Sequence, residues 1–398
     1  MNSLSRPMLP DVGVIAMVYH SWGLPWMTPH HVLPRLTRYF HVVWVNPPHE
    51  WREIPARIGK GKQQHVELPS PWFSVYIPEI WSPRLYRPNW LAKLLSGQRI
   101  KAARQVLTNR GCKKIILYLW HPKFEDALTE IPFDCSCYHI DDEYTFSSSE
   151  YALDPQEIRV IRSVDEVFAI SPGLLERKGN INPHTTFTPE GVDFSAYATP
   201  VDIPEDLAPI PAPRIGYTGV LKKQLDWPLL IDLAKNHPEW SFVFVGPQAP
   251  HPEVTGAIQE MKQFANVFFL GTKTPQKLAA YPQHFDVCLM PYRVDRYTDS
   301  IYPLKLHEYL ASGRPIVAAP IRSLKEFTHV ITLACKSEEW TTALARSLDP
   351  SESSSVRIET RRDVARLYDW SALIALIAQK MCRKLGAPYL DKIEKATR

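Results

Sequence analysis

Short apolar runs alternate with longer amphipathic ones along the first half of the chain. Val12–Tyr19 is followed by the amphipathic stretch His30–Tyr39 and then by a second apolar run, His41–Val45. An apolar run of roughly four to eight residues reads as a buried strand and a period near 3.6 as a helix, so this order is that of parallel βα units. The same pattern predicts strands at Lys114–Leu119, Cys135–His139, Glu166–Ile170 and Thr185–Thr188. It predicts helices near Pro88–Asn109, Pro155–Ser163 and Pro172–Lys178. Between Pro47 and Pro88 the chain is rich in proline and aromatic residues, which fits an irregular insertion or a set of short strands.

A proline-rich segment, Val201–Pro213, sustains neither a helix nor a central strand and marks a linker over 201–213. A more regular βα series follows. Strand Arg214–Tyr217 turns at Gly219, and Asp226 caps a helix to Asn236 with Pro228 in its first turn. Strands Ser241–Val245 and Val267–Leu270 end at Gly246 and Gly271, and Thr274-Pro275 opens another helix. Strand Asp286–Met290 stops at Pro291, a helix runs from about Pro303 to Ser312 and ends on Gly313, and Pro315–Ala319 gives a further strand. Repeated units of this kind make doubly wound sheets that bind ligands at the carboxyl ends of their strands. The expected organisation is an N-terminal Rossmann-like domain over 1–200, a second over 214–370, and a C-terminal helix over 371–398 (Ser371 to about Leu385 being its apolar part) placed to pack back across the domains.

Composition narrows the class. The 398 residues exceed the roughly 250–300 at which one core stops growing. With 45% hydrophobic and 22% charged residues, a disordered, collagen-like or coiled-coil chain is excluded. A net charge of +4 is too small for a chain whose main task is to grip nucleic acid. The six cysteines include no CxxC pair and no zinc spacing, which fits reduced thiols in a cytosolic compartment; Cys135 and Cys137 share one strand face and read as buried small residues. Val12–Tyr19 is short, follows Asp11 and lacks a cleavage site, and no run approaches the roughly 18 apolar residues of a spanning helix. The expectation is a cytoplasmic protein that visits the inner face of the membrane without crossing it.

The densest chemistry lies between Pro291 and Pro320. A helix opening at a crevice presents N–H groups and a positive dipole end to a diphosphate, and Lys305 adds a full charge. Glu308, three residues on, shares the helical face of Lys305, so its carboxylate can accept from two ribose hydroxyls while the ammonium neutralises phosphate. The plain alternative is a surface pair of opposite charges.

The pattern Pro303-Leu304-Lys305 … Glu308-Tyr309-Leu310-Ala311 … Gly313 … Pro315-Ile316-Val317 resembles the nucleotide-binding signature of retaining glycosyltransferases of the GT-B fold. Ile170-Ser171, Glu190-Gly191-Val192-Asp193, Ile215-Gly216-Tyr217-Thr218-Gly219, Phe244-Val245-Gly246-Pro247 and Phe269-Leu270-Gly271 agree with it in order and spacing. Tyr138-His139-Ile140-Asp141-Asp142-Glu143-Tyr144 is similar to transferases of cell-surface polysaccharide assembly, including the teichuronic acid type. The resemblance implies an α/β protein of GT-B architecture, with two Rossmann-like doubly wound domains facing a central cleft. It implies transfer of a sugar from a UDP- or GDP-linked donor to a hydroxyl, with retention and without metal or other cofactor. Donor-binding residues would be Gly219, Lys222, Gly246, Ser300, Lys305, Leu306 and Glu308. Two departures stand out. Ser300 occupies the place where many relatives carry a sugar-contacting glutamate, with Asp299 as a substitute, and Val220 the place of a diphosphate-gripping arginine, with Lys222 or Lys223 to compensate.

In the first domain, the resemblance points to the Gly23 loop as an approach for diphosphate and acceptor, and to His121 and Asp142 as catalytic candidates at strand ends, with Asp141 beside them. The alternatives are a structural turn at His121 and a solvated acidic cap at 141–143. Trp81–Lys93 interleaves aromatic and basic residues, including Arg84 and Arg87. This suits either a peripheral membrane contact for a lipid-linked or oligosaccharide acceptor or ordinary packing with solvated arginines. Two rival functions share the architecture, a sugar-nucleotide epimerase and a non-catalytic nucleotide-binding partner of a polysaccharide assembly complex.

Overall fold

The computed structural model describes residues 6–23, 26–50, 68–79, 82–83, 89–144 and 153–397. Two compact units share the chain. The first comprises 1–170, 174–188 and 373–398, and the second 171–173 and 189–372. Their boundary therefore precedes the expected 1–200 limit, and the proline-rich 201–213 segment lies inside the second unit rather than between two domains.

The first unit is built on a parallel sheet of order β3-β2-β1-β4-β5-β6-β7. Its strands are β1 (Val12–Met17), β2 (His41–Val45), β3 (Phe73–Tyr76), β4 (Lys114–Leu119), β5 (Cys135–Ile140), β6 (Glu166–Ala169) and β7 (Thr185–Phe187). Strands buried on both faces need near-continuous apolar sequence, which β1, β2 and β4 supply. Gly13 in β1 admits Leu107 of helix Asn89–Asn109, whose side chain would lie 2.7 Å from a Cβ there. Ile15, Val43, Leu117, Tyr138 and Val167 carry this core across the sheet. The Pro47–Pro88 stretch does contain a strand, β3, while 51–67 fall outside the described residues.

The second unit repeats the plan with β8 (Arg214–Thr218), β9 (Ser241–Val245), β10 (Val267–Gly271), β11 (Val287–Met290), β12 (Ile316–Ala318) and β13 (Thr332–Leu333), in the order β10-β9-β8-β11-β12-β13. In both sheets the strand order reverses beside the first strand, between β1 and β4 and between β8 and β11. Those reversals are where doubly wound sheets open a crevice at the carboxyl ends.

The C-terminal segment is two helices, Trp370–Leu385 and Ala387–Thr397, rather than one. From Leu373 onward it belongs to the first unit, where Arg383 donates to Glu166 at 2.6 Å and the Tyr389 hydroxyl to Asp11 at 3.0 Å. Residues 171–173 join the second unit. The Ser171 hydroxyl donates to the Ser300 carbonyl at 2.5 Å, and a Cβ on Gly173 would lie 2.5 Å from the Asp299 carbonyl oxygen.

Candidate functional site

Helix Lys305–Ser312 forms because Leu306, Tyr309 and Leu310 recur at helical spacing on its core side, and it stops where Gly313 turns left-handed. Six of its eight residues are buried; the two that keep some exposure are Lys305 and Glu308. Tyr309 fastens the helix to the end of β8, its hydroxyl oxygen accepting from the Thr218 N–H at 2.8 Å. That bond sets Lys305 over the turn after β8. The ammonium lies 5.1 Å from the Tyr217 ring centroid and is hydrogen-bonded to Tyr292.

Two glycines make room for this arrangement. At Gly219 (φ +128°) a Cβ would sit 2.5 Å from the Lys305 ammonium, and at Gly246 (φ +150°) one would sit 2.1 Å from the Gly219 carbonyl oxygen. The Gly219 N–H donates to the Val245 carbonyl at 2.7 Å, so the turns after β8 and β9 pack backbone on backbone. Side chains are excluded from this close approach, which is the usual reason for glycine beside a bound phosphate. Lys305, Glu308, Gly219 and Gly246 thus converge at the carboxyl ends of β8 and β9.

Burial works against the charge on Lys305, but Tyr292, Tyr309 and Glu308 outweigh it and hold the ammonium above its ordinary range. Burial pushes the Glu308 carboxyl up, opposed by Lys305 and by a hydrogen bond from Tyr197. The expected pair is therefore present, and the tyrosines at 197, 217, 292 and 309 that surround it were not foreseen. Tyr217, Tyr292 and Tyr309 stand in stretches already singled out, but their shared place around one ammonium depends on the fold bringing separate segments together.

The other donor-site candidates are placed differently. Leu306 is a core side chain whose N–H is taken by the Pro303 carbonyl at 3.1 Å. Lys222 is half-buried on the loop after Gly219, where its carbonyl accepts from the Trp227 indole N–H at 3.1 Å, and Lys223 is exposed. Ser300 is buried, and its hydroxyl donates to the Arg296 carbonyl at 3.1 Å. Asp299 accepts from the Arg322 N–H at 3.3 Å.

In the first unit the ends of neighbouring strands β1, β4 and β5 gather a second cluster. The His121 ring stacks on Tyr19, centroids 4.7 Å apart, and lies 4.4 Å from the Tyr144 ring. Its Nδ1 accepts from the Lys123 N–H at 3.1 Å. A backbone N–H can only donate, so the neutral ring carries its proton on Nε2 and presents a donor there. Asp141 accepts from the Tyr144 hydroxyl at 2.6 Å, and burial raises its carboxyl to about 7. Asp142 accepts from the Glu143 N–H at 2.7 Å and lies close enough to oppose the burial that lowers His20. His20 was not foreseen. Gly23 follows Trp22, whose N–H donates to the Asn46 side chain at 2.9 Å, so the loop after β1 is tied to the end of β2. Arg84 and Arg87 lie outside the described residues, and Trp90 is 68% exposed.

Cys135 and Cys137 are buried free thiols with their sulfurs 3.7 Å apart. Among the described residues no helix is long and apolar enough to cross a membrane, and no group of three or more His, Cys, Asp or Glu residues is placed to hold a metal ion.

Residues 212–349, which carry Gly219, Gly246, Lys305 and Glu308, match the family of glycosyl transferases group 1. The chain is also similar to a Bacillus subtilis protein named as a candidate teichuronic acid biosynthesis glycosyltransferase, TuaH. Identity is 27% over 231 residues, covering 56% of this chain and 57% of that relative, so the match spans little more than half of the curated protein's length. Among solved structures, Anabaena HepE (Alr3699), determined with UDP and glucose, superposes with a TM-score of 0.64 at 16% identity, covering 94% of this chain and 99% of its own. A glycosyltransferase from Rickettsia africae superposes at 0.65 with 12% identity over 94% and 99%. The fold is that of the GT-B glycosyltransferases, two parallel-sheet Rossmann-like domains.

Proposed function

We propose that the chain is a glycosyltransferase that moves a sugar from a nucleoside-diphosphate donor to an acceptor hydroxyl with retained configuration, in the assembly of a cell-surface polysaccharide or glycolipid. The observation that carries this reading is the helix Lys305–Ser312, closed everywhere except at an ammonium set over two bare glycines and a carboxylate one turn further on. Such a helix has little reason to leave an ion pair open at a strand-end crevice unless a ligand meets it. Its place inside the segment matching glycosyl transferases group 1 gives the ligand's class. The teichuronic acid name of the Bacillus relative supports the cell-surface setting, and UDP in HepE supports a nucleotide donor.

The geometry divides the work. When the bond from the sugar's anomeric carbon to the diphosphate breaks, negative charge grows on the leaving oxygen, and a preorganised ammonium at Lys305 stabilises it without the aid of a metal ion. Glu308 accepts from the ribose hydroxyls, a task that needs its ionised form. In the first unit, His121 donates through Nε2 to a sugar or acceptor hydroxyl, and Asp142 serves as the candidate proton acceptor.

A melting-temperature screen against UDP-, GDP- and ADP-glucose tests the reading, since a ligand favouring the folded state raises the midpoint by mass action. One nucleotide is expected to raise it, with the rise intact in EDTA and lost in Glu308→Ala. No rise with any of them would remove nucleotide binding from this site. NMR of the products with acceptor present then reads the anomeric configuration. Epimer without transfer would assign the chain to the epimerases, and binding without turnover to a non-catalytic partner.

A further inference from the structure

A cavity of about 380 Å³ lies at the amino ends of β12 and β13, the opposite end of the second sheet from the Lys305 crevice. All of its lining belongs to the second unit. Helix Ser337–Ser347 contributes Arg346, and helix Ser355–Leu367 contributes Arg357 and Arg361, which share a face at i and i+4. One carboxylate, Glu352, faces these three guanidiniums, so two positive charges stand in excess (3 − 1). Glu352 is committed to Arg361, accepting from its Nη2 at 2.6 Å. Arg357 lies 3.6 Å from Glu352 with its side chain 49% exposed, a contact worth little in water. Arg346 has no carboxylate partner among the described residues. Asp349, one turn further on, accepts instead from the Ser351 N–H and hydroxyl at 2.9 and 2.6 Å.

Two buried groups distinguish this cavity from a patch of surface charge. Arg361 is 4% exposed, and its Nη1 donates to the Gly313 carbonyl at 3.2 Å and to the Glu352 carbonyl at 2.7 Å. With the Nη2 bond to Glu352, three of the guanidinium's five N–H groups are taken, and Nε and one Nη2 hydrogen have no acceptor among the described residues. Ser347 is 5% exposed and lines the cavity, and its hydroxyl likewise has no hydrogen-bond partner among the described residues. Buried donors without acceptors are costly, and an acceptor entering the cavity removes that cost. Guanidiniums and a hydroxyl around one recess call for a ligand that is anionic and rich in acceptor oxygens, as a phosphoryl group is. The volume admits a small molecule behind that group, with Ile316 and Val330 as apolar lining. We infer that this cavity binds a phosphoryl group carried by a small molecule, at a site separate from the donor crevice. The inference stands on its own residues and does not rest on the glycosyltransferase reading. Two sources share the chemistry, a soluble phosphomonoester and the headgroup of an anionic phospholipid.

Calorimetric titration of the full chain with glucose 6-phosphate, phosphatidic acid vesicles and, as the uncharged control, glucose decides it. At least one phosphorylated probe should bind at least about tenfold more tightly than glucose. Arg346→Glu should weaken that probe by about tenfold, the scale of one charge-assisted hydrogen bond. Ser347→Ala should weaken it by about threefold, a loss that diffuse attraction to surface charge would not show. Lys305→Met should leave the probe's binding unchanged, and the melting rise with nucleotide should persist in Arg346→Glu. Preference for glucose 6-phosphate names the soluble phosphomonoester, and preference for the vesicles the lipid headgroup. Failure of both phosphorylated probes to bind the wild type, or unchanged binding in Arg346→Glu or in Ser347→Ala, overturns the inference. Loss of binding in Lys305→Met overturns it as well, because the phosphoryl group then sits in the donor crevice. Absence of the nucleotide rise in a wild type that still binds a phosphorylated probe strikes only the glycosyltransferase reading. Arg346 is exposed and Ser347→Ala removes only a hydroxyl oxygen, so neither variant threatens the fold.

Discussion

The two units place their chemistry at the same point of the same topology, yet they build it from different material. At the β8/β9 ends the structure depends on what is missing: two glycines let backbone meet backbone and let a lysine stand over the turn. At the β1/β4/β5 ends it depends on what is present, a Tyr19–His121 stack with the Tyr144 ring tilted against it and hydrogen-bonded to the half-buried carboxyl of Asp141. A site made by close backbone approach is rigid and intolerant of one added carbon. A site made of stacked rings has shape but adjusts, because side chains can repack at modest cost. The first suits a ligand part that never varies, such as a nucleoside diphosphate, and the second a part that differs between substrates.

Gly246→Ala is the sharpest way to break the contrast. Its Cβ would meet the Gly219 carbonyl, which is backbone and cannot swing aside, in a conformation that disfavours any side chain. Strain and overpacking together should cost about 4 kcal/mol in denaturant unfolding. A loss near zero would mean the two turns are not locked together. Next comes Glu308→Ala, expected to weaken nucleotide binding on the order of a hundredfold, the worth of one or two hydrogen bonds to a charged acceptor. Unchanged affinity would return Glu308 to a surface ion pair. Gly219→Ala separates position from stability. The atom in its way is the flexible end of Lys305, so the fold should lose only about 1 to 2 kcal/mol while nucleotide affinity falls about tenfold as the ammonium is displaced. Equal losses in fold and affinity would show that the turn, and not the lysine, binds the ligand.

The same contrast explains what could be read from the sequence. β2, β4 and β9, and the helices at Pro155–Ser163 and Pro172–Lys178, agree residue for residue with the apolar pattern, because strands buried on both faces leave no polar ambiguity. Lys305 and Glu308 could be singled out because one helix carries both, whereas Gly219 and Gly246 read equally well as ordinary strand-end turns until the fold packs the two turns together under Lys305. Tyr217, Tyr292 and Tyr309 look like ordinary core residues until the fold sets them around one ammonium. His20 gains meaning only when β1 and β5 bring it near Asp142. The crossing of 171–173 into the second unit hangs on one hydroxyl bonded to a carbonyl far along the chain, a pairing no local pattern encodes.

The smallest expected effect concerns Asp141, where the ring-built site meets charge. Burial lifts its carboxyl from an ordinary 3.8 to about 7, so the folded chain holds a proton that the unfolded chain has released over that interval. Stability from this group is therefore fullest below about pH 4 and is lost as pH rises towards 7. Asn keeps the carbonyl oxygen that accepts from Tyr144 and carries no charge to desolvate. Asp141→Asn should leave stability near the wild-type value at pH 4 and raise it at pH 8 by about 1 kcal/mol, a figure discounted for the exposure the side chain retains. Equal unfolding midpoints at both pH values would mean that water reaches the carboxylate and that the cluster is open where the stacked rings suggest it is closed. A gain at pH 8 would give the first unit a buried acid poised near neutrality, in contrast to the β8/β9 ends, where Lys305 offsets the charge on Glu308.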